Sequence, residues 1–264
     1  MIHTEKLYKY IHRLHCYLLI KSTFCTVNLA YILMTYVDSN TEIHPDVQTK
    51  PVKKIIKERQ FKGMSMTERK QARREKLIEA GIEAYGKHGF FSVTVKDICT
   101  EAKLTERYFY ESFKRSEDLF QTIFLKLIDQ MQKTLLTGVM KDSPNPEKMV
   151  HSGLTSLFKM LKDDPRTARI IYIDAMLVQE LHNQATIHET MAQFDRMIHA
   201  FVTLMMPNIS NSEQEISWVA TGLNGYVTQI AVRWVMGGFK QSLEDVVMAC
   251  ETVFLSLLNN FSSK

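Results

Sequence analysis

Residues 94–113 constrain the fold most, because they predict two short helices joined by a tight turn. Thr94 and Asp97 form a Thr-x-x-Asp pattern, in which each side chain can bond the backbone amide of the other residue and so begin a helix. The apolar residues that follow recur at helical spacing: Val95, Ile98 and Ala102. The first helix is therefore expected to be small, with a single buried face.

The second short helix follows a turn that Leu104 fills, and Thr105 is placed to cap it. Phe109 and Phe113 are four residues apart, so both fall on its inner face. The remaining side chains point mostly outward: Glu106, Arg107, Tyr108, Tyr110, Glu111 and Ser112. Tyrosine hydroxyls beside an arginine can bond phosphates and base edges, which predicts a helix that enters a DNA major groove. The alternative is a small helical hairpin whose tyrosines pack against their neighbours.

The flanking sequence predicts a helix on each side of this pair. Residues 74–88 carry apolar side chains on one side and end at Gly89, a residue suited to the positive φ of a helix C-terminus. Downstream, Ser116 or its neighbour is expected to cap a fourth helix with acidic residues in its first turn. The free amides of that turn, with the cations of Lys114 and Arg115, are suited to hold one phosphate.

Residues 74–124 resemble the N-terminal DNA-binding domain of the TetR/AcrR family of bacterial transcriptional regulators. The matching residues occur in order and without gaps: Gly89, Phe90, Thr94, Val95, Asp97, Ile98, Ala102, Thr105, Phe109, Tyr110, Phe113, Glu117, Leu119 and Phe120. The resemblance implies a homodimer that binds an operator through the third helix of each subunit. It also implies release when a small molecule enters a C-terminal helical domain, and a phosphate contact by Tyr110.

The candidate DNA-binding residues are polar positions on the recognition helix and at the starts of its neighbours: Thr94, Lys96, Thr105, Glu106, Arg107, Tyr108, Tyr110, Glu111, Lys114 and Arg115. Two positions depart from the family pattern. Lys103 stands where the family usually has glycine in the turn, so its backbone must avoid positive φ or carry strain. Ser116 stands where a phosphate-binding lysine is usual, so Lys114 or Arg115 would have to supply that charge.

From Ser116 onward, long helices are predicted by the capping side chains before two prolines, Asn145-Pro146 and Asp164-Pro165, and by capping-box patterns that begin at Ser212 and Ser242. No segment alternates long enough to predict a sheet. We expect helices over residues 116–137, 147–162, 165–182, 185–206, 212–236 and 242–261. The expected breaks are Gly138, Pro207 with Asn208, and Gly237 with Gly238. The predicted fold class is all-α. A three-helix helix-turn-helix DNA-binding domain spans residues 64–115, and a ligand-binding and dimerisation domain spans residues 116–264.

The last two predicted helices carry more apolar side chains than one buried face needs. This predicts an isologous four-helix contact in a homodimer, with plain intramolecular core as the alternative. Two-fold symmetry would place the recognition helices about 34 Å apart on near-palindromic double-stranded DNA. Methionine and aromatic side chains of the middle helices suit a pocket for an apolar inducer, although most must be ordinary core: Met131, Phe158, Tyr172, Met176, Phe194, Met197, Phe201 and Tyr226. Asp174 is one candidate polar anchor.

Residues 1–63 form an uncertain extension, which is either disordered or not translated, with Met64 or Met66 as the start. The apolar stretch at residues 17–37 is interrupted by polar side chains, so we do not expect a membrane span. Basic residues dominate the stretch before the first helix: Lys53, Lys54, Lys57, Arg59, Lys62, Arg69, Lys70, Arg73 and Arg74. They form either an arm that follows the DNA backbone or a solvated linker.

The remaining motifs exclude more than they indicate. The four cysteines form no Cys-x-x-Cys pair, which predicts a reducing, cytoplasmic location. His12, His15 and Cys16 are too isolated to assign a metal site. The sequence has no nucleophile with a nearby base and no glycine-rich phosphate loop, so we predict neither an enzyme nor a cofactor. The predicted function is a DNA-binding transcriptional regulator, a repressor that a small apolar or amphipathic ligand releases. The alternative is a helical partner-binding scaffold without DNA binding.

Overall fold

The computed structural model describes residues 65–142, 145–205 and 213–262, and these segments form helices and no strand. All helices below belong to one compact unit, Met66–Lys264. In chain order they are α1 (Met66–His88), α2 (Val95–Glu101), α3 (Glu106–Tyr110), α4 (Ser116–Lys141), α5 (Pro146–Asp163), α6 (Pro165–Arg169), α7 (Ala175–Leu177), α8 (Gln179–Asn183), α9 (Thr186–Met205), α10 (Glu213–Met236) and α11 (Leu243–Ser262). The all-α fold class is confirmed.

Some predictions concern parts of the chain beyond these segments. The interrupted apolar stretch at residues 17–37 and the cluster of His12, His15 and Cys16 lie outside the described residues, as does the basic stretch before Ser65. Within the described segments, no helix combines the length and the apolar character that crossing a membrane requires. The same segments contain no group of acidic, histidine and cysteine side chains that could hold a metal ion.

The N-terminal helices form where local capping predicts them. Thr94 is the N-cap of α2: its hydroxyl accepts the amide of Asp97 at 3.2 Å, and its own amide donates to the Asp97 carboxylate at 2.9 Å. The Thr94 hydroxyl also donates to the Asp97 carboxylate at 2.6 Å. This hydrogen bond, and then the one from the Thr94 amide, hold the pKa of Asp97 below its usual value. Gly89 ends α1 with φ 85° and ψ 155°, a region open essentially to glycine alone.

The first turn of α3 closes differently from the prediction. Thr105 occupies the N-cap position, but its hydroxyl makes no capping hydrogen bond. The amide of Tyr108, which the cap would satisfy, instead donates to the Thr105 carbonyl at 2.9 Å. The N-cap of α4 is Arg115, the neighbour of Ser116 that the sequence left open, and its side chain makes no capping hydrogen bond. The amide of Lys114 instead donates to Asp118 at 3.2 Å.

An aromatic cluster joins the end of α1 to α4. The ring of Tyr85 lies 5.4 Å from that of Phe90 and 5.5 Å from that of Phe120, and the last two rings are 5.0 Å apart. Gly86 lets α6 approach closely, because a Cβ there would lie 2.9 Å from the backbone Cα of Arg166. Arg166 also pairs with Glu83 of α1. The end of α1 is therefore packed between α4 and α6.

Gly138 was predicted to break a helix, and this is wrong. It lies inside α4, which continues to Lys141. A Cβ on Gly138 would meet α5, 2.6 Å from the carbonyl oxygen of Ser152. A Cβ on Gly153 of α5 would likewise lie 2.6 Å from the side chain of Val139. The two glycines therefore permit close packing of α4 against α5, which is a tertiary role that local sequence does not distinguish from helix termination.

The single helix predicted over residues 165–182 is also wrong. After α6 the chain widens into a π-helical turn at Ile170–Asp174, resumes as α7 and then breaks at Val178, which is extended (φ −82°, ψ 102°). The turn Ile170–Asp174 includes three isoleucines, whose branched side chains restrict rotamers in a regular helix. Ala185, with φ 57°, ends the short α8. Such π turns are often found at functional positions in helices.

Helices α5, α10 and α11 carry much of the core of the C-terminal part. The ring of Trp234, 2% exposed, lies 5.7 Å from Phe158 and 4.9 Å from Phe239. Its indole N–H donates to the Gln241 carbonyl at 3.0 Å. At the start of α11 the Ser242 hydroxyl accepts the amide of Asp245 at 3.1 Å, which is one of the two hydrogen bonds of the predicted capping box. Buried residues on both sides of residue 115 belong to one hydrophobic core. This shared core does not locate a domain boundary, so the boundary proposed at residue 115 stays a prediction.

Candidate nucleic-acid interface

Two phenylalanines anchor α3 and decide which of its faces is exposed. Phe109 is fully buried and Phe113 is 4% exposed, with ring centroids 5.7 Å apart. The Arg107 side chain is then 85% exposed and Tyr110 is 58% exposed. Of the ten candidate DNA-binding residues, all but the half-buried Tyr108 are exposed. The short α3 thus presents a polar and aromatic surface while its inner side is held in the core.

The turn between α2 and α3 carries local strain at Lys103. This residue has φ 55°, so its backbone lies in the left-handed region that normally favours glycine. The turn is closed by hydrogen bonds from the Lys103 amide to the Thr100 carbonyl, at 3.1 Å, and from the Leu104 amide to the Cys99 carbonyl, at 2.9 Å. Of the two outcomes expected for this position, the structure shows the strained one.

Two arginines of α1 reach the region of α3, and sequence analysis had placed them only in a basic run. The Arg73 guanidinium lies 4.4 Å from the centre of the Tyr108 ring, and that of Arg74 lies 4.9 Å from the centre of the Phe113 ring. Arginine stacks readily on aromatic faces. The signal available in the sequence was the abundance of cations just before the helix-turn-helix, but it did not indicate which of them meet α3.

Glu111 connects these two groups of side chains. One of its carboxylate oxygens lies 3.2 Å from Arg107 Nε, and the other lies 3.7 Å from a terminal nitrogen of Arg73. Arg107 and Glu111 are four residues apart along α3, whereas Arg73 comes from α1. The carboxylate therefore bridges the candidate recognition helix and the first helix of the domain.

Lys114 and Arg115 lie directly before α4, and they differ in their ion pairs. Arg115 is paired with Asp118 and with Glu180 of α8, both at 3.3 Å. Lys114 is exposed and forms no ion pair with any residue of the three described segments. Of the two cations named as replacements for the usual family lysine at Ser116, Lys114 is the one that has no ion pair with these residues.

The eight predicted pocket residues do not share one environment. Met131, Phe158 and Tyr172 are buried, and the Tyr172 hydroxyl donates to the Met131 sulfur at 3.7 Å. Burial raises the pKa of Tyr172. Four others are half-buried: Phe194, Met197, Phe201 and Tyr226. Met176 is 50% exposed, so the structure does not place it with the buried set.

Asp174 belongs to a junction rather than to a pocket. Its carboxyl is 3% exposed and lies 3.5 Å from Arg169 Nε, within hydrogen-bonding reach of the Phe90 backbone. Burial raises the pKa of Asp174 more than Arg169 and the hydrogen bonds lower it. A surface cleft of about 560 Å³ lies nearby, between α1, the α2–α3 turn and Arg166. None of the eight predicted pocket residues lines that cleft.

Residues 77–123 match the family model of bacterial regulatory proteins of the tetR family. No curated protein matches the chain. The match to residues 77–123 confirms the resemblance that the helix-turn-helix residues carried.

Solved structures similar to this chain cover most of the described part. A putative TetR-family transcriptional regulator from Rhodococcus sp. is 16% identical, with a TM-score of 0.58, and the match covers 71% of this chain and 99% of that one. The fatty acid degradation regulator FadR from Bacillus halodurans is 18% identical, with a TM-score of 0.57 and coverage of 69% and 93%. FadR from Bacillus subtilis, in complex with stearoyl-CoA, is 16% identical, with a TM-score of 0.57 and coverage of 68% and 96%.

Proposed function

This chain carries the DNA-binding domain and has the fold of TetR/AcrR-family transcriptional regulators, and from that premise we propose that it is a repressor released from its operator by a small ligand. The observation that carries the DNA-binding part is the outward face of α3. Buried Phe109 and Phe113 fix the helix, so Arg107 and Tyr110 are directed away from the core. An exposed arginine beside a tyrosine can bond a base edge and a phosphate in one groove.

Substitution of Arg107 tests this function. Full-length protein selects its preferred duplex from a random pool, and affinity for that duplex is then measured. We expect Arg107→Ala to lower this affinity about 5- to 150-fold, because each good arginine–base contact contributes about 1–3 kcal/mol of discrimination. The melting temperature should stay unchanged, because the side chain is 85% exposed.

Arg196→Ala is the matched control, since it removes an exposed arginine from α9, far along the chain from α3. It should bind the selected duplex as the wild type does. A wild type that selects no sequence at all would favour the partner-binding scaffold and contradict the proposal.

We propose that the protein is a homodimer formed through α10 and α11. Three large apolar side chains on these helices are exposed in the single chain: Trp218 (68%), Met236 (71%) and Met248 (53%). Gly222 and Gly225 lie on the same side of α10 as Trp218, and a Cβ at either would have no atom within 4 Å apart from its chain neighbours and the backbone of its own helical turn. Small and apolar side chains on adjacent helices permit a close contact between two copies.

The ligand is proposed to be apolar or amphipathic. The soft side chains around Met131 and Tyr172 can repack around such a molecule, and α4 continues from Met131 to the helix-turn-helix. A ligand that inserts there is expected to tilt α4 and change the spacing of the two recognition helices. The Bacillus subtilis relative was solved with stearoyl-CoA, so long-chain acyl compounds are the first candidates.

Stearoyl-CoA and stearate are the probes for this part of the proposal. Binding is measured by calorimetry, and operator affinity with and without each probe. We expect a bound probe to lower operator affinity about 5- to 150-fold, which corresponds to a coupling free energy of about 1–3 kcal/mol. A probe that binds the protein while operator affinity stays constant would show that the ligand does not act by releasing DNA.

A further inference from the structure

Glu111 is an unusual side chain for a surface that is proposed to meet phosphates. It lies at the C-terminal end of α3, next to the exposed Arg107, and its side chain is 35% exposed. A carboxylate in this position repels the DNA backbone and so weakens binding to any sequence. Affinity for DNA therefore does not account for it.

The contacts of Glu111 indicate a different role. Its two oxygens are divided between Arg107 of α3, at 3.2 Å, and Arg73 of α1, at 3.7 Å. Arg73 is itself held, since its guanidinium lies 4.4 Å from the centre of the Tyr108 ring and its side chain is only 26% exposed. The Glu111 carboxylate thus pairs with Arg73, which packs on a ring, and with Arg107, which is exposed to solvent.

This pairing restricts the exposed arginine. Arg107, at 85% exposure, has little packing to limit its rotamers, and the pair with Glu111 is its one ion pair among the described residues. Bidentate recognition of a guanine edge requires a defined guanidinium orientation. An arginine whose orientation is fixed before binding loses less conformational entropy on the correct base.

We propose that Glu111 is a positioning residue for operator recognition: it holds Arg107 in its base-reading orientation and ties it to Arg73 on α1. The inference rests on the proposed DNA-binding function and concerns how that function discriminates between sequences. Glu111 favours the correct operator over other DNA at the expense of general affinity. Its removal should therefore move specific and non-specific binding in opposite directions.

The test measures two affinities for each full-length variant, one for the selected duplex and one for a scrambled duplex of the same composition. Glu111→Gln should bind the scrambled duplex about 2- to 5-fold more tightly, because one carboxylate no longer repels phosphates. The ratio of the two affinities should fall about 10-fold, because Arg107 is no longer oriented. Thermal melting of each variant checks that the domain is folded.

Two further variants separate positioning from charge. Glu101→Gln removes an exposed carboxylate from the end of α2 that forms no ion pair with Arg107, and should leave the ratio unchanged. Glu111→Asp keeps the charge but shortens the side chain by one methylene. It should lower the ratio without tightening binding to the scrambled duplex.

Each outcome decides the inference. A ratio that is equal in Glu111→Gln and in the wild type overturns it, and so does an equal fall in Glu101→Gln, which would reduce the effect to net charge. A wild type that prefers no duplex overturns the proposed function itself, so the two failures are distinguishable.

Discussion

Replacing Gly225 with arginine is expected to divide the proposed dimer into folded monomers and to lower operator affinity by about 10²- to 10⁴-fold. Gly225 is an exposed position on α10, and a Cβ there would have no atom within 4 Å apart from its chain neighbours and the backbone of its own helical turn. In an isologous contact the new arginine would face its own copy across the two-fold axis. Each half-site would then be bound by an independent subunit, and the gain that comes from linking two binding modules would be lost.

The same substitution separates the dimer from the alternative that α10 and α11 are only intramolecular core. Arginine is a better helix former than glycine by about 0.8–1 kcal/mol in an exposed helix interior. A chain that does not use this face should therefore melt at a higher temperature and bind DNA unchanged. Sedimentation, melting and operator affinity are measured on the same samples.

Gln130→Arg is the control for Gly225→Arg. It adds the same charge at an exposed position of α4, outside the two helices of the proposed contact. This variant should remain dimeric and keep its operator affinity. If Gly225→Arg also remains dimeric, the subunits meet through some other surface.

Local signals in the sequence predict the helix starts well. The capping boxes at Thr94 and Ser242 predict α2 and α11, and each start is confirmed to within one residue. Asn145 before Pro146 predicts α5 equally well, with the Asn145 side chain accepting the Lys148 amide at 2.9 Å. These features succeed because both partners of each hydrogen bond lie within one helical turn of the chain.

The errors arise where distant residues decide the structure. Gly138 has the sequence character of a helix end, yet α5 requires a glycine at that point of α4. The bridge from Glu111 to Arg73 joins residues 38 positions apart in the numbering, so no local pattern indicates it. The face of α3 could be predicted from Phe109 and Phe113, because their spacing is itself local. The ion pairs that organise that face could not.

We expect the Asp174 carboxyl to contribute more than any other single side chain to the packing of the π turn against the start of the helix-turn-helix. It lies within hydrogen-bonding reach of the Phe90 backbone and 3.5 Å from Arg169 Nε. A Cβ on the neighbouring Gly89 would lie 3.2 Å from the Arg169 Cζ, so the three segments are in close contact. Asp174→Ala removes the carboxyl and leaves both partners unmatched.

We expect Asp174→Ala to lower the free energy of unfolding by about 1–3 kcal/mol, because it leaves the Phe90 amide without its acceptor. The ion pair with Arg169 adds little, because the Arg169 side chain is 39% exposed and burial outweighs its effect on the Asp174 carboxyl. Asp174→Asn should cost less, because its amide oxygen can still accept the Phe90 amide. Urea unfolding at one protein concentration measures both, and hydrogen exchange of α1 and α2 should accelerate in the alanine variant. A loss below about 0.5 kcal/mol would mean that the Asp174 carboxyl does not stabilise the contact between the two segments.

The pH dependence of the free energy of unfolding is a second test of the Asp174 carboxyl. Because burial raises the pKa of Asp174 in the folded state, the folded protein retains a proton that the unfolded chain has released, over the range between the ordinary value of 3.8 and the raised one. In that range the unfolded state binds fewer protons, so this group makes stability fall as pH rises. Glu83 and Asp97, whose pKa values are lowered, have the opposite slope. The difference in stability between wild type and Asp174→Asn removes these shared contributions. It should decline as pH rises through the range, whereas a flat difference would mean that the folded-state pKa of Asp174 is not raised.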